Sequence, residues 1–464
     1  MFIVAVEKRG PFMKVIKFGG SSLADDIQIK KVANVIVSDP ERRVVVVSAP
    51  GKGINDPEKV TDMLIRVANV TLAQGVDAGR VELDKIIRRY AAIAQKLGIP
   101  QVMDRIEPDL SALLTADLSH PAAFTDACKA AGEDNSAKLV AAYLTSIGHP
   151  AVYVDPREAG MILSDEFGNA KILDKSFALL NASLSGISEI IVFPGFFGRT
   201  ESGRLVTFPR GGSDITGAIL AAALNADVYE NFTDVDYVYA VNPKLILNPA
   251  PISLVTYREM RELSYSGFNV YQEEALLPVF RVGIPVNIRN VNNPACPGTM
   301  IVASRPTDDH AVRVAGIASD KGFTSIYISK YLMNREVGFG RRVLSILEEE
   351  GISYEHTPTG IDDMTIILRS SALQNGMLDR IVDRLMNELH ADDVQVTDGL
   401  SLIVVVGEGM KHAVGIAAAA ATALSRAGVN ISMISQGSSE VSMIFAVNSD
   451  DCDKGVCALY DVLF

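Results

Sequence analysis

Two glycine-containing turns, far apart in the sequence, carry the residue types best suited to bind phosphate. The first, Lys17-Phe18-Gly19-Gly20-Ser21-Ser22, follows a short apolar run and precedes a helical pattern. Glycines at such a turn leave backbone N–H groups free to meet phosphate, and the lysine adds a positive charge. Alone this motif is weak evidence for a phosphate site, because an ordinary glycine turn beside a solvated lysine has the same sequence pattern. The chain has no Walker A, HRD or DFG motif, so neither P-loop nor protein-kinase machinery is indicated.

The second turn, Arg210-Gly211-Gly212-Ser213-Asp214, opens an apolar helix that begins near Ile215. It would offer free N–H donors, the partial positive charge of a helix start and a carboxylate in one place. A simple N-cap by Ser213 or Asp214 explains one residue of the set, but not the arginine and the two glycines. Further on, the polar, acidic stretch 231–239 is either an ordinary loop or a site for adenine and ribose.

Short β-branched runs alternate with helical patterns between residues 14 and 290 and predict the elements that position these turns. The pattern is typical of a mainly parallel sheet covered by helices. Each run ends in a Gly, Ser, Pro or Asp turn, which is where an open α/β sheet places its ligands. The stretch around 292–311, rich in Asn, Pro and Asp, predicts a linker. The clearest buried strands are predicted at 15–18, 44–47, 151–154 and 190–193.

The remainder of the chain contains an internal repeat. Thr324 aligns with Ser401, Gly338 with Gly415 and Gly360 with Gly437 without gaps, which indicates duplication. The first unit predicts a β-α-β-β-α-β order of ferredoxin-like type. The second unit stops at Phe464 before its last strand, and we predict that 313–317 fills that edge, which makes the first unit an insertion. The elements predicted in the first unit are strand 324–330, helix 340–350, strands 352–357 and 363–369, helix 373–389 and strand 393–397.

Composition excludes several classes of protein. The length of 464 residues favours two or three domains. A net charge of −13 argues against a nucleic-acid partner. Four cysteines without CxxC spacing favour a reducing, cytoplasmic setting, and six scattered histidines predict no protein-built metal site. No apolar stretch is long enough for a membrane span, and Met13, just before the first predicted strand, is an alternative start to Met1.

Taken together these segments resemble the aspartokinase branch of the amino-acid kinase family, from about Lys14 to the end of the chain. Individually the motifs are modest, but in this order they are specific. The C-terminal repeat resembles tandem ACT domains, with 436–440 similar to the signature of the second. The motifs that carry the resemblance are Lys17-Phe18-Gly19-Gly20-Ser21-Ser22, Val46-Val47-Ser48-Ala49, Gly132-Glu133, Arg210-Gly211-Gly212-Ser213-Asp214 and Thr233-Asp234-Val235-Asp236.

The resemblance implies a fold and a domain division. We expect an α/β fold with an open, mainly parallel sheet sandwiched by helices, followed by two ferredoxin-like (βαββαβ) ACT domains. The catalytic domain is expected at 14–308. The first ACT domain, inserted, is expected at 324–399, and the second at 309–323 plus 400–464.

The resemblance also implies ATP-dependent phosphorylation of the side-chain carboxylate of L-aspartate to 4-phospho-L-aspartate, with Mg²⁺. Lys17 and Asp214 would be the catalytic pair, with Asp214 orienting Lys17. Arg210 would bind the α-carboxylate of the substrate and Glu133 its α-ammonium, although an acidic helix start also explains Glu133. The remaining substrate residues are Ser48 and Ser213, and the predicted ATP-binding residues are Lys17, Gly19, Gly20, Ser21, Gly212, Thr233, Asp234, Tyr239 and Lys244.

Two segments depart from the family pattern near the nucleotide. Many members have a lysine where this chain has Asn269, which cannot supply that charge. The usual Thr-Ala-Asp-Pro-Arg reads Ala240-Val241-Asn242-Pro243-Lys244, so Lys244 loses the planar fork of an arginine. Lys52 either compensates or is simply solvated.

ACT domains imply an amino-acid effector, lysine and possibly threonine, and a homodimer or dimer of dimers through those domains. The expected effector residues are Met333, Glu336, Phe339, Gly340 and Glu355, although exposed glutamates are more often a solvated face. Two alternative functions stay open. One is another kinase of the same fold, acting on glutamate, acetylglutamate, carbamate or UMP. The other is an inactive amino-acid sensor, which Asn269 keeps open.

Overall fold

The computed structural model describes residues 12–53, 56–268, 275–305, 313–411 and 413–464, and the chain divides into two compact units. The described residues of the first unit fall within Met1–Val238, Ile252–Met260 and Asn269–Arg305. Those of the second unit fall within Tyr239–Pro251, Arg261–Phe268 and Pro306–Phe464.

The first unit is built on an eight-stranded sheet. Its strands are β1 (Lys14–Phe18), β2 (Arg42–Val47), β3 (Ala151–Tyr153), β4 (Ile190–Pro194), β7 (Val228–Thr233), β10 (Leu254–Thr256), β11 (Val286–Asn290) and β12 (Thr299–Val302). They lie in the order β10-β12-β11-β7-β1-β2-β4-β3, and every pair is parallel except β11 with β12. The short strands β5 (Phe197–Arg199) and β6 (Leu205–Thr207) form an antiparallel pair, and β8 (Val238–Tyr239) pairs with β9 (Pro251–Ile252). The four strands predicted from sequence are confirmed as β1 to β4.

Helices lie between these strands along the chain, and they pack against the sheet or against one another. They are α1 (Asp26–Val37), α2 (Val60–Gln74), α3 (Val76–Leu97), α4 (Met103–Ala112), α5 (Pro121–Ser146), α6 (Pro156–Ala159), α7 (Lys175–Leu184), α8 (Gly212–Ala223), α9 (Tyr257–Tyr265) and α10 (Leu276–Val282). Residues of β1 and β2 are buried on both faces, as expected for central parallel strands, and share one apolar cluster with α1, α2, α3 and α5. Within the described part of the chain, none of the helices is long and apolar enough to cross a bilayer.

The second unit contains one five-stranded antiparallel sheet. Its strands are β13 (Gly316–Ser329), β14 (Asp363–Arg369), β15 (Asp393–Val406), β16 (Ile431–Gln436) and β17 (Ser442–Asn448), in the order β14-β13-β15-β17-β16. Its helices are α11 (Phe339–Glu349), α12 (Met377–Asn387), α13 (Ile416–Arg426) and α14 (Cys452–Leu463). Each repeat has its own apolar cluster.

Strands β13 and β15 each serve both repeats. The first half of β13, Gly316–Lys321, pairs with residues 401–406, and its second half pairs with residues 393–400. The register shifts around Lys321 and Phe323, where Gly322 has a φ of +90°. The two sequence repeats therefore share a continuous pair of strands.

Two expectations from the sequence are wrong in detail. The predicted strand over 352–357 is not regular: His356 and Thr359 form single bridges to β14, because Pro358 lacks an N–H and interrupts the ladder. The predicted linker around 292–311 contains β12, and its Pro-Gly sequence comes directly before that strand in the connection from β11. Gly298 has a φ of +76° there, a conformation that favours glycine. Residues 306–311 of that stretch lie outside the described residues.

Candidate active site

The carboxyl end of β1 meets the first turn of α8 in an ion pair. Lys17 Nζ lies 2.6 Å from Asp214 Oδ1, with side chains 10% and 15% exposed. Asn231 Nδ2 donates a 2.7 Å hydrogen bond to the same oxygen. Strand pairing places Lys17 directly opposite Asn231 on β7. The structure thus brings the two predicted catalytic residues together and adds an amide that orients the carboxylate.

Asn231 begins the stretch 231–239, for which the sequence predicts a loop or a site for adenine and ribose, yet it lies within β7 and is 3% exposed. A polar residue inside an otherwise buried strand needs a hydrogen-bond partner, and that is the signal by which it could have been found.

The turns that follow β1 and β2 touch through their glycines. Gly51 N donates to Gly20 O at 2.8 Å, and Ser48 N donates to Phe18 O at 3.2 Å. A Cβ on Gly20 would lie 2.8 Å from Ala49 O, and a Cβ on Gly51 would lie 2.5 Å from the carbonyl carbon of Gly20. Side chains are therefore excluded from this contact, and backbone groups face any bound anion.

Gly19 stands next to the ion pair. A Cβ at this position would lie 3.6 Å from Lys17 Nζ. Glycine at position 19 therefore keeps side-chain atoms away from this side of the ammonium. Ser48, directly after β2, is partly exposed at the same edge of the sheet.

The start of α8 depends on two glycines. Gly211 has a φ of +83° as the residue before the helix, and a Cβ on Gly212 would lie 2.5 Å from Phe196 Cδ2. Gly212 N donates to Pro209 O at 3.1 Å, so a phosphate would compete with that carbonyl for this amide. Ser213 is 7% exposed and lies against Gly195, where a Cβ would come within 2.6 Å of Ser213 Cβ. The turn is therefore packed tightly enough to fix Asp214.

Glu133 of α5 is a buried carboxylate with one free oxygen. It is 5% exposed, its carboxylate accepts a hydrogen bond from the Ala49 backbone N–H, and its Oε2 has no hydrogen-bond partner. Burial raises the pKa of Glu133 to about 8. Gly132 brings α5 close to the end of β2, since a Cβ there would lie 2.8 Å from Ala49 Cβ. A buried, unpartnered carboxylate oxygen is well suited to accept a cationic donor from a ligand.

Arg210 contrasts with Glu133. Its side chain is exposed and forms no ion pair with the described residues. The guanidinium is therefore available to a ligand carboxylate at the edge of the α8 turn.

A cleft of about 310 Å³ opens beside the first glycine turn. Its lining includes Ser21, Ser22, Lys52, Asp234 and Asn292. Thr233 Oγ1 donates to Asp234 Oδ1 at 3.2 Å, and Ser22 Oγ is buried without a partner. Two predicted nucleotide residues, Ser21 and Asp234, thus share one cleft with Lys52.

Other predicted nucleotide residues lie elsewhere. Tyr239 and Lys244 belong to the second unit, in the segment Tyr239–Pro251, and their role stays a prediction. Asn269 lies outside the described residues.

The predicted effector residues lie in the first repeat of the second unit. Glu336 pairs with Lys330 at 2.7 Å and with Arg342, and Lys330 Nζ lies 5.2 Å from the centre of the Phe339 ring. Met333 is buried, and a Cβ on Gly340 would meet no atom within 4 Å.

Glu355 is held by a different set of groups. It accepts a hydrogen bond from Tyr265 and pairs with Arg369 Nε at 3.1 Å. Both predicted effector glutamates are thus already bound to groups of this chain, so an effector ammonium must displace or join those partners.

Solved structures of similar shape cover almost the whole chain. Aspartate kinase of Clostridium acetobutylicum superposes with a TM-score of 0.81 at 36% identity, covering 98% of this chain and 100% of that one. Two structures of Escherichia coli aspartokinase III also match. One is in complex with aspartate and ADP (TM-score 0.76, 27% identity, 97% of this chain and 100% of that one). The other is in complex with lysine and aspartate (TM-score 0.74, 26% identity, 97% and 99%).

The sequence comparisons agree. A model of the amino acid kinase family matches residues 13–290, and an ACT domain model matches residues 403–463. Aspartokinase 3 of Bacillus subtilis (strain 168) is 54% identical over 453 residues, covering 97% of this chain and 99% of that protein. The chain therefore belongs to the amino acid kinase family. Within that family it is an aspartate kinase with C-terminal ACT domains, as the motifs of the sequence indicated.

Proposed function

We propose that this enzyme transfers the γ-phosphoryl group of ATP to the side-chain carboxylate of L-aspartate, giving 4-phospho-L-aspartate and ADP. The observation that carries the proposal is the arrangement at the ends of β1 and β2. There a lysine–aspartate pair, a glycine turn and a buried carboxylate with a free oxygen occupy the edge of the sheet where ligands bind. The aspartate and ADP bound to the Escherichia coli enzyme support the same substrates here.

Substrate recognition is assigned to groups of opposite charge. The free oxygen of Glu133 accepts the α-ammonium of aspartate, which satisfies a carboxylate otherwise left unpaired in the protein interior. The exposed guanidinium of Arg210 binds the α-carboxylate with its planar fork. Ser48 lies directly after β2, and Ser213 lies in the first turn of α8. These two serines complete the proposed set of substrate-binding residues.

Phosphoryl transfer then needs positioning and charge rather than a general base. The side chain of aspartate has a pKa of about 4, so the nucleophile is already ionised at neutral pH. Lys17 binds the oxygens of the transferred group, and Asp214, held by Asn231, orients the lysine ammonium. The backbone groups around Gly19 and Gly20 hold the phosphates.

Magnesium fits this arrangement as a companion of the nucleotide. The described residues include no group of three His, Cys, Asp or Glu side chains able to hold a metal ion, so Mg²⁺ would be held mainly by phosphate oxygens and water. When bound, it neutralises charge on the phosphates.

The nucleotide is assigned to the cleft beside the first glycine turn. Ser21, Asp234 and Lys52 line it, and Thr233 supports Asp234. Lys52 supplies a positive charge at the cleft, the contribution that Asn269 cannot make. Tyr239, Lys244 and Gly212 complete the proposed ATP-binding set.

We further propose that an amino acid, lysine in the first instance and threonine as a possible second effector, inhibits the enzyme through the ACT domains. The lysine-bound structure of the Escherichia coli enzyme supports this choice. Met333, Glu336, Phe339, Gly340 and Glu355 form the proposed effector site. By binding the less active state better, the effector would shift the population toward it.

The proposed domain division has an inserted first ACT domain at 324–399 within a second ACT domain made of 309–323 and 400–464, after a catalytic domain at 14–308. The pairing of Gly316–Lys321 with residues 401–406 supports it. We also propose a homodimer or dimer of dimers through these domains. Exposed apolar side chains of the second unit support that assembly, including Tyr331 at 73% and Val337 at 95% exposure.

The direct test is ADP release with Mg-ATP and L-aspartate. L-Glutamate and omission of any amino acid are the controls, and each reaction is repeated with lysine and with lysine plus threonine. Aspartate-dependent turnover that lysine suppresses is expected. Turnover with glutamate alone would overturn the substrate assignment, and aspartate turnover insensitive to both effectors would overturn the regulatory one.

A further inference from the structure

Arg89, a residue of α3, is buried, and its side chain contacts the segments that follow β1 and β2. Its side chain is 4% exposed. The guanidinium donates hydrogen bonds to three backbone carbonyls: Gly51 O at 2.5 Å, Glu58 O at 2.7 Å and Ala24 O at 3.2 Å. The carboxylate of Asp56 lies 3.8 Å from its Nε but is 44% exposed, so the carbonyls are its main partners.

Two of the three carbonyls, those of Ala24 and Gly51, belong to segments that line the cleft. Ala24 lies just after the turn that follows β1 and lines the cleft. Gly51 lies in the turn that follows β2, and its N–H donates to Gly20 O at 2.8 Å. One guanidinium is therefore bonded to both turns, and the turns are bonded to each other at their glycines.

An arginine suits this place for a geometric reason. A planar guanidinium presents five N–H donors in fixed directions, whereas a lysine ammonium presents a compact charge on a flexible stem. The carbonyls of residues 24, 51 and 58 come from three different segments, and a planar fork can hold all three in one arrangement.

We infer that Arg89 is a positioning residue for the phosphates of the nucleotide. It fixes the turn after β2 against the turn after β1, so that the backbone groups of Gly19, Gly20 and Ser21 face the same anion. This inference rests on the proposed assignment of that turn to ATP. The loss of Arg89 then weakens the binding of phosphate groups and leaves the contacts to adenine and to aspartate in place.

The test compares Arg89→Lys and Arg89→Met with the same changes at Arg88. Arg88 is the adjacent arginine of α3, and its side chain is exposed. Binding of ADP and of adenosine is measured by calorimetry, together with the KM for ATP, the KM for aspartate, kcat and the melting temperature.

In Arg89→Met the Kd for ADP and the KM for ATP are expected to rise roughly tenfold or more, because hydrogen bonds from a charged group are lost. The Kd for adenosine and the KM for aspartate are expected to change less than about twofold. The Kd for ADP and the KM for ATP of Arg89→Lys are expected to lie between those of Arg89→Met and those of the unmodified enzyme. Both Arg88 variants are expected to behave like the unmodified enzyme.

Three results would overturn the inference. One is an equal loss of affinity for ADP and adenosine. Another is a fall in kcat with both KM values unchanged, as from a smaller folded fraction. The third is failure of both Arg89 variants to fold while both Arg88 variants do. If the unmodified enzyme binds ADP but does not turn over aspartate, the proposed function fails, and the comparison of ADP with adenosine still decides the role of Arg89.

Discussion

The ammonium of Lys17 and the carboxylate of Asp214 are 2.6 Å apart, although one residue lies near the end of β1 and the other in the first turn of α8. The pair is largely buried, and its carboxylate oxygen also accepts a hydrogen bond from Asn231. A charge held in this way is already oriented before any ligand binds, which is how preorganised groups lower a barrier.

Replacing Asp214 by asparagine tests this relationship. Asp214→Asn is nearly isosteric but removes the charge that orients Lys17, so kcat is expected to fall by about 100-fold or more. Steady-state kinetics with ATP and aspartate measure it. The matched control is Asp39→Asn, because Asp39 pairs with Lys14 at 2.6 Å at the other end of the same strand. Equal activity of the two variants would contradict the assigned role of Asp214.

The raised pKa of Glu133 predicts a pH dependence of aspartate binding. Without a ligand, the Glu133 carboxyl has a pKa of about 8 and is mostly protonated at lower pH. The ammonium of aspartate binds the ionised form of this carboxyl. Affinity for aspartate should therefore increase about tenfold per pH unit at most on approach to pH 8, and level off above it. The KM for aspartate between pH 6.5 and 9 measures this dependence.

Two variants control that profile. Glu133→Gln should bind aspartate weakly and lose the inflection near pH 8. Glu58→Gln, a change at a partly exposed glutamate, should retain it. If the inflection near pH 8 remained in Glu133→Gln, it would have to come from the titration of another group.

Glu133 also predicts how the stability of the ligand-free protein changes with pH. Its pKa is higher in the folded protein than in the unfolded chain, so the folded state binds the proton more tightly. Its contribution to stability therefore falls as pH rises from about 4.5 to about 8. Glu133→Gln, which stays neutral, should melt above the unmodified protein at pH 9, with a difference that shrinks toward pH 5. Thermal unfolding at both pH values measures it, and a constant difference would contradict the burial argument.

Gly212→Ala is expected to damage the start of α8. An added Cβ would lie 2.5 Å from Phe196 Cδ2 and 2.7 Å from Phe208 Cβ, so the turn must move and carry Asp214 with it. We expect kcat to fall at least about tenfold and the melting temperature to drop by several degrees. Gly186→Ala is the control, because a Cβ there meets no atom within 4 Å. Similar losses of kcat and melting temperature in Gly212→Ala and Gly186→Ala would show that the close contacts around Gly212 are not the cause.

Glu355→Gln tests the regulatory proposal. If this carboxylate accepts the ammonium of lysine, the variant should keep its basal kcat and require at least about tenfold more lysine for half-inhibition, since a charged hydrogen bond is lost. Activity as a function of lysine concentration measures it. Glu349→Gln, which removes a surface ion pair with Arg384, should respond like the unmodified enzyme. Unchanged inhibition of Glu355→Gln would remove this residue from the effector site.

The sequence predicted what depends on local pattern. The buried runs of β1 and β2, the glycine turns after β1 and before α8, and the repeat that forms the second unit all leave periodic or compositional traces along the chain. The strand at 352–357 was predicted wrongly: the ferredoxin-like order of elements suggested it, but Pro358 has no N–H to donate to the strand pairing.

What the sequence left hidden depends on contacts between distant segments. Arg89 bonds to backbone carbonyls, and any residue type can supply a carbonyl, so no motif marks its partners. The burial of Glu133 likewise follows from the close approach of Gly132 to Ala49, which appears only after α5 has packed on the sheet. Side-chain chemistry could be predicted at the turns, but the groups that fix those turns could not.

The shared strands β13 and β15 have a consequence for how the regulatory half folds and unfolds. Each is 14 residues long and lies in both repeats, so strand pairing continues from one repeat into the other across the register shift at Lys321 and Phe323. Melting one repeat would fray strands on which the other depends, and we expect residues 313–464 to unfold as one cooperative unit. During synthesis, Gly316–Lys321 emerges early but must wait for residues 401–406 before it can pair. Closure of this long loop makes the second repeat a late and slow event in folding.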